Sequence, residues 1–269
     1  MIGNSGAHAA DHGAVMSANP ILYFTDLGSG PPLLLIHGLM VTGEMFEPIV
    51  GPLAEHHRLI IPDLRGHGRS RGLGPPYHVA RLAADLSRLL DHLDIPLADV
   101  LGYSQGGAVA QQFALDYPDQ CRRLVLACTY AYNMASLREQ VEGRLVPALI
   151  ALLGMRRFAE LVIGQGLKQV SRRRAEWVMG LIATQDRTLM QAAWQETVAF
   201  DSRARLADIR CPTLVIAAAQ DEAVPAHHAY MLRDGIKESQ LVVIDPGDHA
   251  LIWARPEALL EAVKPFLAH

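Results

Sequence analysis

The sequence predicts an α/β fold: a mostly parallel central sheet flanked by helices and interrupted by a wholly helical insertion. Three observations predict it. Short apolar runs bounded by turn residues alternate with segments of helical period, as parallel strands joined by helices require. That alternation stops between about residues 131 and 205, where no strand-like run occurs, and it then resumes to the C-terminus. The strands expected are Leu33–Ile36, Leu59–Ile61, Val100–Leu101, Leu124–Leu126, Leu214–Ala217 and Leu241–Ile244. Leu82, Leu86, Leu89 and Leu93, with Ala83 and Leu90 beside them, form the stripe by which a helix packs on a sheet. A second helix is expected from Gln105 to Tyr117, stopped before Pro118, and a terminal one from Glu257 to Leu267. The insertion reads as several helices punctuated by Gly143, Gly154, Gly164, Gly166 and Gly180. The division expected is a flexible leader over 1–19, a core over 20–130 and 206–269, and a helical cap over 131–205.

At 269 residues, half of them apolar and 19% charged, the chain suits one α/β unit with an insertion. A formal net charge of −4 argues against nucleic acid or an anionic membrane as the principal partner. No apolar run reaches membrane-spanning length, and the first nineteen residues lack the basic and apolar regions of a secretory signal. Cys121, Cys128 and Cys211 form no even set and no CxxC pair, so reduced thiols in a cytoplasmic protein are expected.

The chemistry-bearing motif is Gly102-Tyr103-Ser104-Gln105-Gly106. A short strand precedes it, and a helix opening on Gly106, Gly107 and Ala108 follows. Such a sharp turn exposes the central side chain, and Gly102 and Gly106 avoid the collision a Cβ would make. The helix N-terminus then directs free amides toward the serine, where an oxyanion would form. Ser104 is thus the candidate nucleophile, and it needs a base to take its proton. His249 is chosen among 12 histidines because Pro246-Gly247-Asp248-His249 follows a strand and leaves the sheet at the same end as Ser104. Asp221, after the strand Leu214–Ala217, is the candidate acid that orients the imidazole. Glu222 would point the opposite way, while Asp245 and Asp248 lie too close to His249 in sequence and suit turn-stabilising roles. Backbone N–H groups of Leu39 and Gln105 are the candidate oxyanion donors. Gly38 permits the turn after the first core strand, and His37 is expected to hold that loop through ring hydrogen bonds.

These segments resemble the α/β-hydrolase superfamily, in its compact lidded branch. The carriers are Leu33-Leu34-Leu35-Ile36-His37-Gly38 after Gly28-Ser29-Gly30-Pro31-Pro32, then Asp63-Leu64-Arg65-Gly66-His67-Gly68-Arg69-Ser70. The Ser104 pentapeptide, Cys211-Pro212-Thr213-Leu214-Val215-Ile216, Asp221 with Val224 and Pro225, and Gly247-Asp248-His249 complete the series. The resemblance implies a Ser-Asp-His triad with no metal and no organic cofactor. Within the superfamily the chain looks most like bacterial esterases and enol-lactone hydrolases, which implies a small-molecule ester or lactone as substrate. Serine at 104, where dehalogenases and epoxide hydrolases carry aspartate, argues against those two activities. A carbon–carbon bond hydrolase using the same triad, and a ligand receptor that keeps the triad with slow turnover, are the rival expectations.

His56-His57 and His227-His228 are adjacent pairs, which do not readily turn toward one metal ion from a helix or strand. His67 is expected in a turn, and Asp63 and Arg65 in local ion pairs. Asp201 is expected where the insertion returns to the core. The insertion's methionines and tryptophans suit helix packing first and an apolar pocket second. Among Arg156, Arg157 and Arg172 to Arg174, a carboxylate-binding side chain is expected only for an acidic substrate.

Overall fold

The computed structural model describes residues 21–268; the leader expected over 1–19 lies outside them. Seven strands form one sheet: β1 (Phe24–Gly28), β2 (Pro32–Ile36), β3 (Arg58–Pro62), β4 (Ala98–Tyr103), β5 (Cys121–Ala127), β6 (Thr213–Ala218) and β7 (Ser239–Ile244). Their spatial order is β1-β3-β2-β4-β5-β6-β7, with β1 antiparallel to β3 and every other pair parallel. The helices are α1 (Glu47–Ala54), α2 (Val79–His92), α3 (Gln105–Asp116), α4 (Leu137–Leu161), α5 (Arg172–Ala183), α6 (Arg187–Ala199), α7 (His227–Gly235), α8 (Leu251–Ala254) and α9 (Pro256–Leu267). Among the described residues no helix is long and apolar enough to cross a membrane.

Strand pleating divides the core. Leu33 and Leu35 of β2 face α1 and α9, while Leu34 and Ile36 face α2 and α3. Both faces are covered, which is why β2 reads as a continuous apolar run and why every residue of β4 is buried, Asp99 among them as the ion-pair partner of Arg122. α4 to α6 leave the sheet between β5 and β6, and their base is closed by a bridge between Tyr132 and Asp201. Ile150, Met155, Phe158, Val178 and Met190 of these helices merge with the α1–α9 face and form no core of their own. α4 opens on a capping box, in which the Glu139 N–H donates to Ser136 Oγ and the Ser136 N–H to Glu139 Oε2. It kinks at Gly154, whose φ of 71° breaks the helix.

Register aligns the strand ends. Ile36 pairs with Gly102, Tyr103 with Ala127, Ala127 with Ile216, and Ala218 with Ile244. The segments after β2, β4, β6 and β7 therefore emerge along one edge, the carboxyl edge at which open α/β sheets bind ligands.

Candidate active site

Ser104 joins β4 to α3 with φ 55° and ψ −123°, a left-handed conformation costly for a residue with a side chain. Its neighbours hold it there. The Ser104 N–H donates to Ala127 O at 3.0 Å, and Thr129 Oγ donates to Ser104 O at 2.6 Å. A methyl at Gly106 would run into the carbonyls of Ile36 and His37, and one at Gly102 into Gly106 O. The two glycines thus let strand, turn and neighbouring loop pack backbone against backbone.

His249 and Asp221 meet this serine. His249 Nε2 lies 3.1 Å from Ser104 Oγ, and His249 Nδ1 lies 2.8 Å from Asp221 Oδ2. The other Asp221 oxygen accepts the N–H groups of Ala223 and Val224 at 2.9 and 2.7 Å, which fixes the carboxylate's aim. Asp221 is 1% exposed in its side chain and His249 29%, so the pair is sealed on the acid side and open toward the serine. Desolvation pushes the His249 pKa down, but the Asp221 charge and hydrogen bond, with the Asp248 charge, raise it above the ordinary histidine value. The rival carboxylates are engaged elsewhere. Asp248 accepts Ala250 N–H, Asp245 accepts from Gln220, and Glu222 is exposed beside Arg138.

The loop after β2 lies against the serine: a Cβ on Gly38 would sit 3.3 Å from Ser104 Cβ. The Gly38 N–H donates to Met45 Sδ, leaving Leu39 N–H without an acceptor among the described residues. Gln105 N–H stands at the first residue of α3, where helical amides have no intrahelical partner. His37 is fully buried, with Nδ1 donating to Gly38 O at 2.7 Å and Nε2 accepting Leu64 N–H at 2.9 Å. Both ring nitrogens are committed to the loop. Burial lowers its pKa against the opposing pull of Asp63 and Gly38. His67 stacks edge-on against it with centroids 5.1 Å apart. It is more than a turn residue, since burial and the His37 ring bring its pKa down to about 3.

Sequence reasoning missed three contributors. Tyr103 OH donates to His249 O at 2.9 Å and bolsters the loop that carries the imidazole. Thr129 holds the serine carbonyl. The side chain of Gln105, assigned only a backbone part, donates to Thr197 Oγ at 2.8 Å and moors α6. For Tyr103 and Gln105 the signal was adjacency to Ser104; for Thr129 there was none. Arg173 and Arg174 line a groove of about 770 Å³ with Glu44, Glu47 and Trp177, and that groove includes none of the three candidate residues. Arg172 pairs with Glu176 at the surface.

The model of the α/β hydrolase fold matches residues 31–151. A putative carbamate hydrolase, RutD, of Azorhizobium caulinodans is 30% identical over 253 residues, covering 91% of this chain and 94% of that protein. The chain belongs to the α/β-hydrolase family. It is therefore a hydrolase built on the mostly parallel seven-stranded sheet described above. A poly(3-hydroxyalkanoate) depolymerase of Ectopseudomonas oleovorans is 33% identical over 254 residues, covering 88% of this chain and 84% of that protein. The solved structure of a thermophilic esterase from Thermogutta terrifontis superposes on this hydrolase with a TM-score of 0.83 at 29% identity, covering 92% of this chain and 93% of that one.

Proposed function

We propose that the protein cleaves a carboxylic ester or lactone of a small, largely apolar substrate through an acyl-enzyme on Ser104. The observation that carries this reading is the unbroken chain from Ser104 Oγ through both His249 nitrogens to Asp221. His249 Nε2 takes the hydroxyl proton as Oγ bonds to the substrate carbonyl carbon, and Asp221 stabilises the imidazolium. The carbonyl oxygen, now negative, is received by the N–H groups of Leu39 and Gln105, each worth roughly 3 kcal/mol in comparable sites. Collapse breaks the carbon–oxygen bond, and His249 returns the proton to the leaving alcohol. Water then repeats the sequence, its proton passing to His249 and back to Ser104 as the acid departs. Leu39, next to the Gly38 that packs on Ser104, is a half-buried apolar side chain in that loop.

A carbamate carbonyl would meet the same groups, and the RutD relative gives that chemistry a place in the test. The test is a panel of short esters, lactones, carbamates and ring-fission products offered to the wild type and to Ser104→Ala. Esters or lactones should turn over fastest. The Ser104→Ala variant should lose on the order of 10⁴-fold or more while keeping its fold. A fluorophosphonate should label Ser104 alone. Near-normal turnover by Ser104→Ala overturns the acyl-enzyme, and preference for a ring-fission product overturns the substrate class.

A further inference from the structure

Away from the candidate triad, three potential metal ligands converge. His227 Nε2 and His228 Nε2 both approach a single carboxylate oxygen, Glu139 Oε1, at 3.1 and 2.9 Å. All three atoms lie within 4.8 Å of one another. Adjacent helical side chains diverge by about 100° in mid-helix. Here His227 and His228 are the first two residues of α7, and their ring centroids are only 4.0 Å apart. The expectation that this pair would not readily face one ion is therefore corrected: at the helix start both Nε2 atoms reach the same carboxylate oxygen.

We propose that Glu139 Oε1, His227 Nε2 and His228 Nε2 bind a divalent transition-metal ion of the zinc class. Three arguments support the site. A tetrahedral zinc with nitrogen and oxygen ligands near 2.0–2.2 Å spaces those ligands about 3.3 Å apart, so small outward shifts of the rings suffice. Two imidazoles and one carboxylate are a donor set that suits zinc and neighbouring ions over magnesium or calcium. The carboxylate is already aimed, because its other oxygen accepts the Ser136 N–H in the capping box at 2.7 Å. Glu139 and His228 are buried, and His227 is 45% exposed in its side chain, leaving one side open to solvent and a water ligand.

The ligands come from two separate parts of the chain. Glu139 stands in the first turn of α4, and the histidines open α7 shortly after the Asp221 loop. A bound ion would fasten the start of the inserted helices to the core beside that loop. Its part is to hold these segments together, and the proposed acyl transfer does not pass through it.

The test uses the full chain, stripped with chelator and titrated calorimetrically with zinc chloride, and separately with cobalt(II) to read visible absorption. The wild type should take up one ion per chain at this site, show the bands of a four-coordinate cobalt centre, and melt at higher temperature with zinc than without. His227→Ala, at a half-exposed position, should weaken uptake by more than the roughly 10–100-fold that lost outer-sphere partners cost. Glu139→Gln should do the same, and its helix content by circular dichroism separates lost ligation from lost capping. His249→Ala should leave uptake intact. Equal affinity in wild type and His227→Ala overturns the site. So does loss of uptake in His249→Ala, which would place the ion at the triad, and so does absence of saturable binding.

Discussion

Two histidine environments lie close together at the carboxyl edge of the sheet, and they treat the same side chain in opposite ways. His249 keeps one nitrogen on a carboxylate and turns the other to a partly exposed serine, and its pKa is raised. His37 and His67 are sealed from water, aim their rings at backbone groups and at each other, and have lowered pKa values. Burial disfavours the charged ring in both places. What differs is the carboxylate in direct contact with the ring. In the proposed mechanism the first environment takes up a transient proton; the second disfavours a charged ring and holds the loop of Gly38 and Leu39 through His37.

Removing the carboxylate should break this contrast most severely. Asp221→Asn should lower kcat by on the order of 10³–10⁴-fold, because the imidazole loses its tautomer and the support of its charge. The same variant sharpens the comparison through its pH profile. The proposed mechanism needs neutral His249, so the acid limb of kcat/KM should fall with a midpoint above the ordinary histidine value of 6.5. Residual Asp221→Asn activity should show that midpoint shifted down, as at the sealed histidines.

The sealed pair predicts a stability effect of opposite sign. An unfolded chain protonates His67 near 6.5, whereas the folded chain resists until about 3. Between those values the unfolded state binds more protons, so stability falls as pH drops through that window and levels off below it. Urea midpoints measured across the range should show a shallower fall for His67→Gln than for wild type. An unchanged slope would mean that His67 is not held neutral. The smallest effect is expected for Tyr103→Phe, which removes the hydrogen bond to His249 O at a cost of about 1 kcal/mol. Turnover should drop a few-fold with the pH midpoint unmoved, since the hydroxyl steadies the loop without touching the ring nitrogens.

Much of this was legible because the chemistry is local. Gly102, Ser104 and Gly106 announce a tight turn by composition, and the strands around them are apolar enough to recognise. β1 was not. Phe24–Gly28 carries only two apolar residues, and it becomes a strand because its register against β3, Phe24 opposite Pro62, is set by chain far away in sequence. α1 was hidden by Pro48, Gly51 and Pro52, and it forms because Pro48 sits at the helix start and Ile49 and Leu53 have a core to enter. α7 was hidden too, and with it the convergence of His227 and His228 on Glu139. That meeting spans 88 residues for His227 and 89 for His228, and depends on where the inserted helices land. Separation in sequence, not weakness of the interaction, is what concealed it.

Gln105 carries a last consequence. Its amide is the proposed cradle for the oxyanion, and its carboxamide is tethered to Thr197 on α6. One residue is thus joined both to the proposed oxyanion position and to helix α6. A tug on α6 by an ill-fitting substrate would be transmitted to the amide that must stay still during bond breaking. Discrimination would then be exercised on speed rather than on grip, with poor substrates admitted readily and processed slowly.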